Sequence, residues 1–147
     1  MTKTDVLNFI DAQPILILTT MSEAQPETRA LINIRNQNIA PHLTEYFRAH
    51  DRILLITNTH SDKIKQVRIN PTAALYAYSA QWAGLLLTGK IEEITDSETI
   101  NALWDESWKM YYPDGRDGGD FSVLEFIPEN FKSYSGENFE KKSGKID

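Results

Sequence analysis

The stretch ITNTHSDKIKQVRINP, residues 56–71, joins an apolar run to a short amphipathic segment through a turn of hydroxyls and one cation. RILLITNT (52–59) reads as a strand. SDKIKQVRIN (61–70) reads as a helix stopped at Asn70-Pro71, because a residue before proline is driven out of the helical region. Ser61 stands at the N-cap position, where its hydroxyl is expected to accept from a first-turn amide, and Asp62 suits the positive end of the helix. Ile64 and Val67 then face a core. Lys63 does not fit this picture, since it places a cation at the positive helix end. Free first-turn amides, hydroxyls on Thr57, Thr59 and Ser61, and a lysine are together the chemistry of an anion site.

Outward from this stretch, MTKTDVLNFIDAQ (1–13) opens with Thr2-x-x-Asp5, a capping box, and carries Val6, Phe9 and Ile10 at helical spacing. ILILTTM (15–21) is an apolar run of strand length. TRALINIR (28–35) alternates. Ala30, Ile32 and Ile34 share one face, expected to be the core face; Arg29, Leu31, Asn33 and Arg35 share the other. PHLTEYFRAHD (41–51) reads as a short helix or an irregular link. TAALYAYS (72–79) and WAGLLLTGKIEEI (82–94) are strands, the second expected to bend at Gly89 and, through its leucine run, to be buried on both faces. TDSETINALWDESWKMYYP (95–113) opens with Thr95-x-x-Glu98 and reads as one long helix with a stripe of Ile100, Leu103, Trp104, Ser107, Trp108 and Tyr111. FSVLEFIPENFKSYSG (121–136) is a last strand. Residues 1–136 are therefore expected to form one domain, with 137–147 a frayed tail.

Strands that are mostly consecutive, with few helices, do not make a doubly wound fold. They fit a mainly β protein with peripheral helices, a closed or split antiparallel barrel. The 147 residues suffice for one core; net charge −6 and a pI near 5.1 argue against nucleic acid or an anionic membrane as partner. Without cysteine there is no disulfide or thiolate chemistry, and three scattered histidines make no metal site. No run approaches the ~20 apolar residues of a spanning helix, and the start lacks a signal-peptide core, so a cytoplasmic location is expected. Arg29, on the face opposite Ala30 and Ile32, could grip one phosphate together with Lys63 if their segments are neighbours.

The run TRALIN (28–33), LLITNTHSDKIKQVRINPTAALYAY (54–78), LLLTGKIEEITD (85–96) and LWDESWKMYYPDG (103–115) resembles the pyridoxamine 5′-phosphate oxidase-like flavin-binding split barrels, in particular their general-stress-protein branch. The resemblance covers residues 5–135 and lies in order and spacing rather than in one diagnostic motif. It implies a homodimer with FMN in clefts at the interface. Arg29, Thr57, Ser61 and Lys63 would hold the phosphate. The ring would lie along the strand from Arg29 to Ile34, including Ala30, Leu31 and Ile32, and the backbone of Ile56 and Thr57 would approach its edge. Trp104 reads as core, and Trp108 and Tyr111 as a cover for the cofactor or the dimer seam. Three departures weaken pyridoxamine phosphate oxidation: Asp62 where the oxidase has arginine, Ala83-Gly84 where it has Arg-Gln, and no Arg-His pair in the last strand. The function implied is an FMN-dependent oxidoreductase moving hydride or electrons between a nicotinamide donor and a small acceptor. The alternatives are a non-enzymatic flavin-storing or sensing dimer, or a barrel using a deazaflavin or heme. Heme would need an axial ligand, for which His60 is the residue inside the site but a poor one. No catalytic side-chain constellation is evident, as expected if the cofactor carries the chemistry.

Overall fold

A computed structural model describes residues 1–147. Its elements are α1 (Lys3–Asp11), β1 (Ile15–Met21), β2 (Pro26–Ile32), a 3₁₀ turn (Pro41–Leu43) running into α2 (Thr44–Ala49), β3 (Ile53–Asn58), α3 (Asp62–Ile69), β4 (Thr72–Tyr78), β5 (Gly84–Ile94), α4 (Ser97–Leu103), a second 3₁₀ turn (Glu106–Met110), β6 (Phe121–Tyr134) and β7 (Lys141–Lys145). All strand pairs are antiparallel, in the order β2-β1-β4-β5-β6-β3, with β7 also on β6. Because β2 pairs only with β1 and β3 only with β6, the barrel is split between these two edges. No helix is long and apolar enough to cross a membrane.

Local chemistry explains most boundaries. Thr2 and Asp5 form the capping box of α1. β3 reads as an uninterrupted apolar run because both its faces are buried. Ile53 and Leu55 enter the barrel core with Leu16, Leu18, Leu75, Leu87 and Phe126, while Leu54 and Ile56 join a second cluster with Trp108, Tyr112 and Phe121. The β5–β6 register slips between Thr88 and Gly89, and a Cβ on Gly89 would stand 2.1 Å from the Ile127 carbonyl oxygen, so only glycine passes there. In β5, Leu85 and Leu87 are buried and Leu86 is half-buried.

Four expectations are corrected. First, β2 ends at Ile32, because Asn33 turns the chain by anchoring its amide on the Pro14 carbonyl and its side chain on the carbonyls of Ile10 and Gln13. Second, the faces of β2 are inverted: Ala30 and Ile32 are exposed, and Arg29 and Leu31 turn inward, where Leu31 meets the core and Arg29 finds polar partners. Third, the long helix is broken. Asp96 rather than Thr95 caps α4, Trp104 is extended, and Asp105 caps the following turn, which lets Trp104 and Trp108 meet edge-on at 6.1 Å. Fourth, residues 141–145 of the expected tail form β7, paired in register with Asn130–Tyr134.

Candidate functional site

Edge strand β2 carries Arg29, and edge strand β3 with the turn and helix after it carries Thr57, Ser61 and Lys63; Thr57 meets Ser61, and Arg29 is near enough to Lys63 to repel it. Inward-facing positions of β1 run Leu16, Leu18, Thr20, so the row ends in a fully buried hydroxyl. Arg29 Nη1 donates to Thr20 Oγ1 at 2.7 Å and to the Glu27 carbonyl at 3.0 Å; Nη2 donates to Gln66 Oε1 at 3.3 Å. The guanidinium is thus pre-oriented by neutral acceptors, with the Glu27 carboxylate 4.0 Å from Nη2.

α3 supplies the opposite wall. Ser61 occupies the N-cap position, but its side chain accepts no amide; its hydroxyl instead lies 3.4 Å from that of buried Thr57. The expected cap bond is therefore absent, and no protein group accepts from the amides of Asp62, Lys63 or Ile64. Lys63 is half-buried and forms no ion pair. Its pKa is lowered, first by burial and then by repulsion from Arg29, with Asp62 opposing. Burial likewise lowers Arg29, against the pull of Glu27 and Asp62. Burial thus disfavours each cation, and the neighbouring carboxylates act the other way.

Ala30 and Ile32 lie on the outer side of β2 and Leu31 on the inner side, all on the barrel's open edge, whose outward backbone groups pair with no other strand. Ile56 and Thr57 line the facing edge. Trp108 packs in the same hydrophobic cluster as Ile56. It is buried with Trp104, Tyr112 and Phe121, its ring edge-on to His42 at 5.2 Å, while Tyr111 is exposed. His42 Nε2 lies 3.0 Å from the Leu103 carbonyl and His50 Nδ1 2.8 Å from that of Tyr46; His60 is exposed. Three members of the site had not been singled out from sequence: Thr20, Glu27 and Gln66. The signal for Thr20 was period-two alternation ending on a hydroxyl. Gln66 lies between Ile64 and Val67 on the buried side of α3, a polar residue where the stripe asks for an apolar one.

Residues 2–135 match the family described as Pyridoxamine 5′-phosphate oxidase. The chain belongs to that family. No curated protein matches it. Among solved structures, this family member is similar to a Clostridium acetobutylicum protein related to general stress protein 26 of B. subtilis, at 25% identity and TM-score 0.76 over 99% of this chain and 94% of that one. General stress protein 26 of Bacillus anthracis aligns over 98% of each chain at 14% identity and TM-score 0.71. A heme binding protein from Mycobacterium smegmatis aligns at 17% identity and TM-score 0.67, covering 99% of this chain but 58% of that one. The oxidase-like family and its general-stress-protein branch, with their split antiparallel barrel, are thus the frame for the site.

Proposed function

We propose that the chain is an FMN-binding flavoprotein, an oxidoreductase that passes hydride or electrons between a nicotinamide donor and a small acceptor. The observation that carries this reading is the meeting of two half-buried cations, Arg29 and Lys63, with three unpartnered helix amides and the Thr57 and Ser61 hydroxyls at the split of the barrel. Helix amides and paired cations are donors suited to a phosphate monoester. Arg29 and Lys63 would neutralise the phosphate, and the open backbone edge of Ala30, Leu31 and Ile32, with Ile56 and Thr57 opposite, would hold a flat ring. A bound flavin supplies the redox chemistry; the chain orients it and shields it from water.

The same reading includes a homodimer. Ile15, Ile32, Tyr76 and Tyr78 are 40–54% exposed on one outer face of β2-β1-β4, and a second copy would cover them. A heme reading draws on one structural neighbour but lacks a ligand here: His42 and His50 are engaged with carbonyls, and His60 lies exposed.

Purified protein is expected to be yellow and to release FMN on denaturation, and NADH- or NADPH-oxidising activity would separate enzyme from binder. Arg29→Ala should weaken FMN binding by roughly 10- to 150-fold, the loss of one charged hydrogen-bonding partner. A protein that takes up no FMN, or binds it equally well without Arg29 and without Lys63, would overturn the assignment.

A further inference from the structure

The charges around the phosphate seat nearly cancel. Glu27, two positions before Arg29 on the same face of β2, places its Oε2 4.0 Å from Arg29 Nη2 and accepts from Gln66 Nε2 at 2.8 Å. Gln66 is almost fully buried and turns its other end, Oε1, to Thr20 Oγ1 at 2.5 Å and to Arg29 Nη2 at 3.3 Å. A carboxamide has one donor end and one acceptor end, so the Glu27 bond fixes which end Arg29 meets. Glu27 therefore holds Arg29 in place through Gln66 and draws on its charge as well.

The other elements add to this balance. From α3, Asp62 acts on both Arg29 and Lys63. From β1 the contribution is the uncharged Thr20. Glu23 and Lys65 lie with Glu27, Asp62 and Gln66 along an adjoining cleft of about 480 Å³. Two cations thus stand against two carboxylates at the seat itself. A larger cleft of about 570 Å³, around Asp11, Arg35 and Asn36, offers no comparable seat, because its buried arginine is already paired.

We propose that Glu27 selects the charge of the ligand: it is an internal counter-ion that makes this site take a phosphomonoester as the monoanion rather than the dianion. The proposal rests on the reading of the site as a phosphate seat. A seat with two uncompensated cations favours the dianion, so its affinity falls as pH drops through the second phosphate ionisation near ~6. With Glu27 and Asp62 in place, the second ligand charge gains little attraction and meets two carboxylates. The monoanion meets the carboxylates with one charge less and carries an O–H that can donate to Glu27.

The test is equilibrium titration of FMN and of riboflavin, which lacks the phosphate, into the full chain and into Glu27→Gln, between about pH 7.5 and about pH 5.5 to span that ionisation. Glutamine keeps an acceptor for Gln66 Nε2, so Arg29 stays where it is. Wild-type FMN affinity should hold or tighten as pH falls. Glu27→Gln should bind FMN about tenfold more tightly at the upper pH and weaken as pH falls, with riboflavin unchanged. Asp62→Asn, at an exposed position whose side chain makes no hydrogen bond to Gln66, should shift FMN affinity the same way by less. FMN binding whose strength and pH profile are the same in wild type and Glu27→Gln overturns the proposal and leaves the flavin reading standing. Binding of neither FMN nor riboflavin to wild type or variants overturns the flavin reading and this proposal with it.

Discussion

Arg29, within β2, and Arg35, just beyond its end, belong to one stretch of chain and do opposite things. The Arg35 side chain is 3% exposed. It pairs with both oxygens of Asp11 at 2.6 and 3.1 Å, donates to the carbonyls of His50 and Arg52 at 3.2 and 2.8 Å, and lies 4.7 Å over the Phe47 ring. Arg29 is 22% exposed, its donors rest on neutral oxygens, and its nearest carboxylate oxygen stands 4.0 Å away. Arg35 ties α1 to the segment before β3 and is saturated. Arg29 is held in position by neutral oxygens, its carboxylate partner at the outer limit of an ion pair. The difference teaches how to separate a structural cation from a candidate binding cation: by how many of its donors and how much of its charge the fold has already matched.

Breaking that contrast should cost most at Arg35. Removing Arg35 strands the buried carbonyls it served, while Asp11, 39% exposed, turns to water, and Arg35→Ala should lose about 3 kcal/mol of stability. That corresponds to a melting temperature lower by roughly 6–12 °C. FMN affinity of the folded protein should be unaltered. A variant that melts like wild type would show that the saturated arginine locks nothing.

Lys63→Met probes the other side of the contrast. FMN affinity should fall by about tenfold or more, while the ligand-free fold should be no less stable than wild type. The pH dependence gives the sign. The fold lowers the Lys63 pKa, so the unfolded chain binds the proton more tightly, and wild-type stability rises with pH in the window just below the ordinary lysine value. Denaturant melts across that window should lack this increment in the variant. A stability loss on the scale of Arg35→Ala would make Lys63 a structural cation and erase the distinction.

The smallest effect is expected at Ser61. Its hydroxyl caps nothing in the fold, so Ser61→Ala should change stability by less than about 0.5 kcal/mol. FMN affinity should drop by roughly 3- to 10-fold for one lost hydrogen bond. A destabilisation of about 1 kcal/mol would mean that the hydroxyl caps the helix in solution and that its place at the seat is secondary.

Most element positions were legible because their causes are local. The Thr2–Asp5 box starts α1, Pro71 closes α3, and the glycine at the β5 bend admits the close approach of the Ile127 carbonyl. The placing of hydroxyls and a lysine after β3 was legible for the same reason. The α4 break was hidden because Trp104 and Trp108 keep helical spacing in the sequence, while their packing around Phe121 requires an extended residue between two short helical turns. β7 was hidden because a strand of lysine, serine and glycine has no apolar face to announce it; its pairing with β6 forms it.

By itself, the sequence determined the barrel class and singled out Arg29, Thr57, Ser61 and Lys63 as candidates, since strand periodicity and helix-start chemistry act within a few residues. Only the tertiary structure decided which face of β2 turns inward. Alternation separates two faces without saying which one meets the core. That choice was made by neighbours distant in the chain. Thr20 and Gln66 offer acceptors on the inner side, and Arg29 is drawn in toward them. On the outer side Ala30 and Ile32 remain exposed. The same long-range contacts placed Glu27 at the cations and so gave the seat its near-neutral charge.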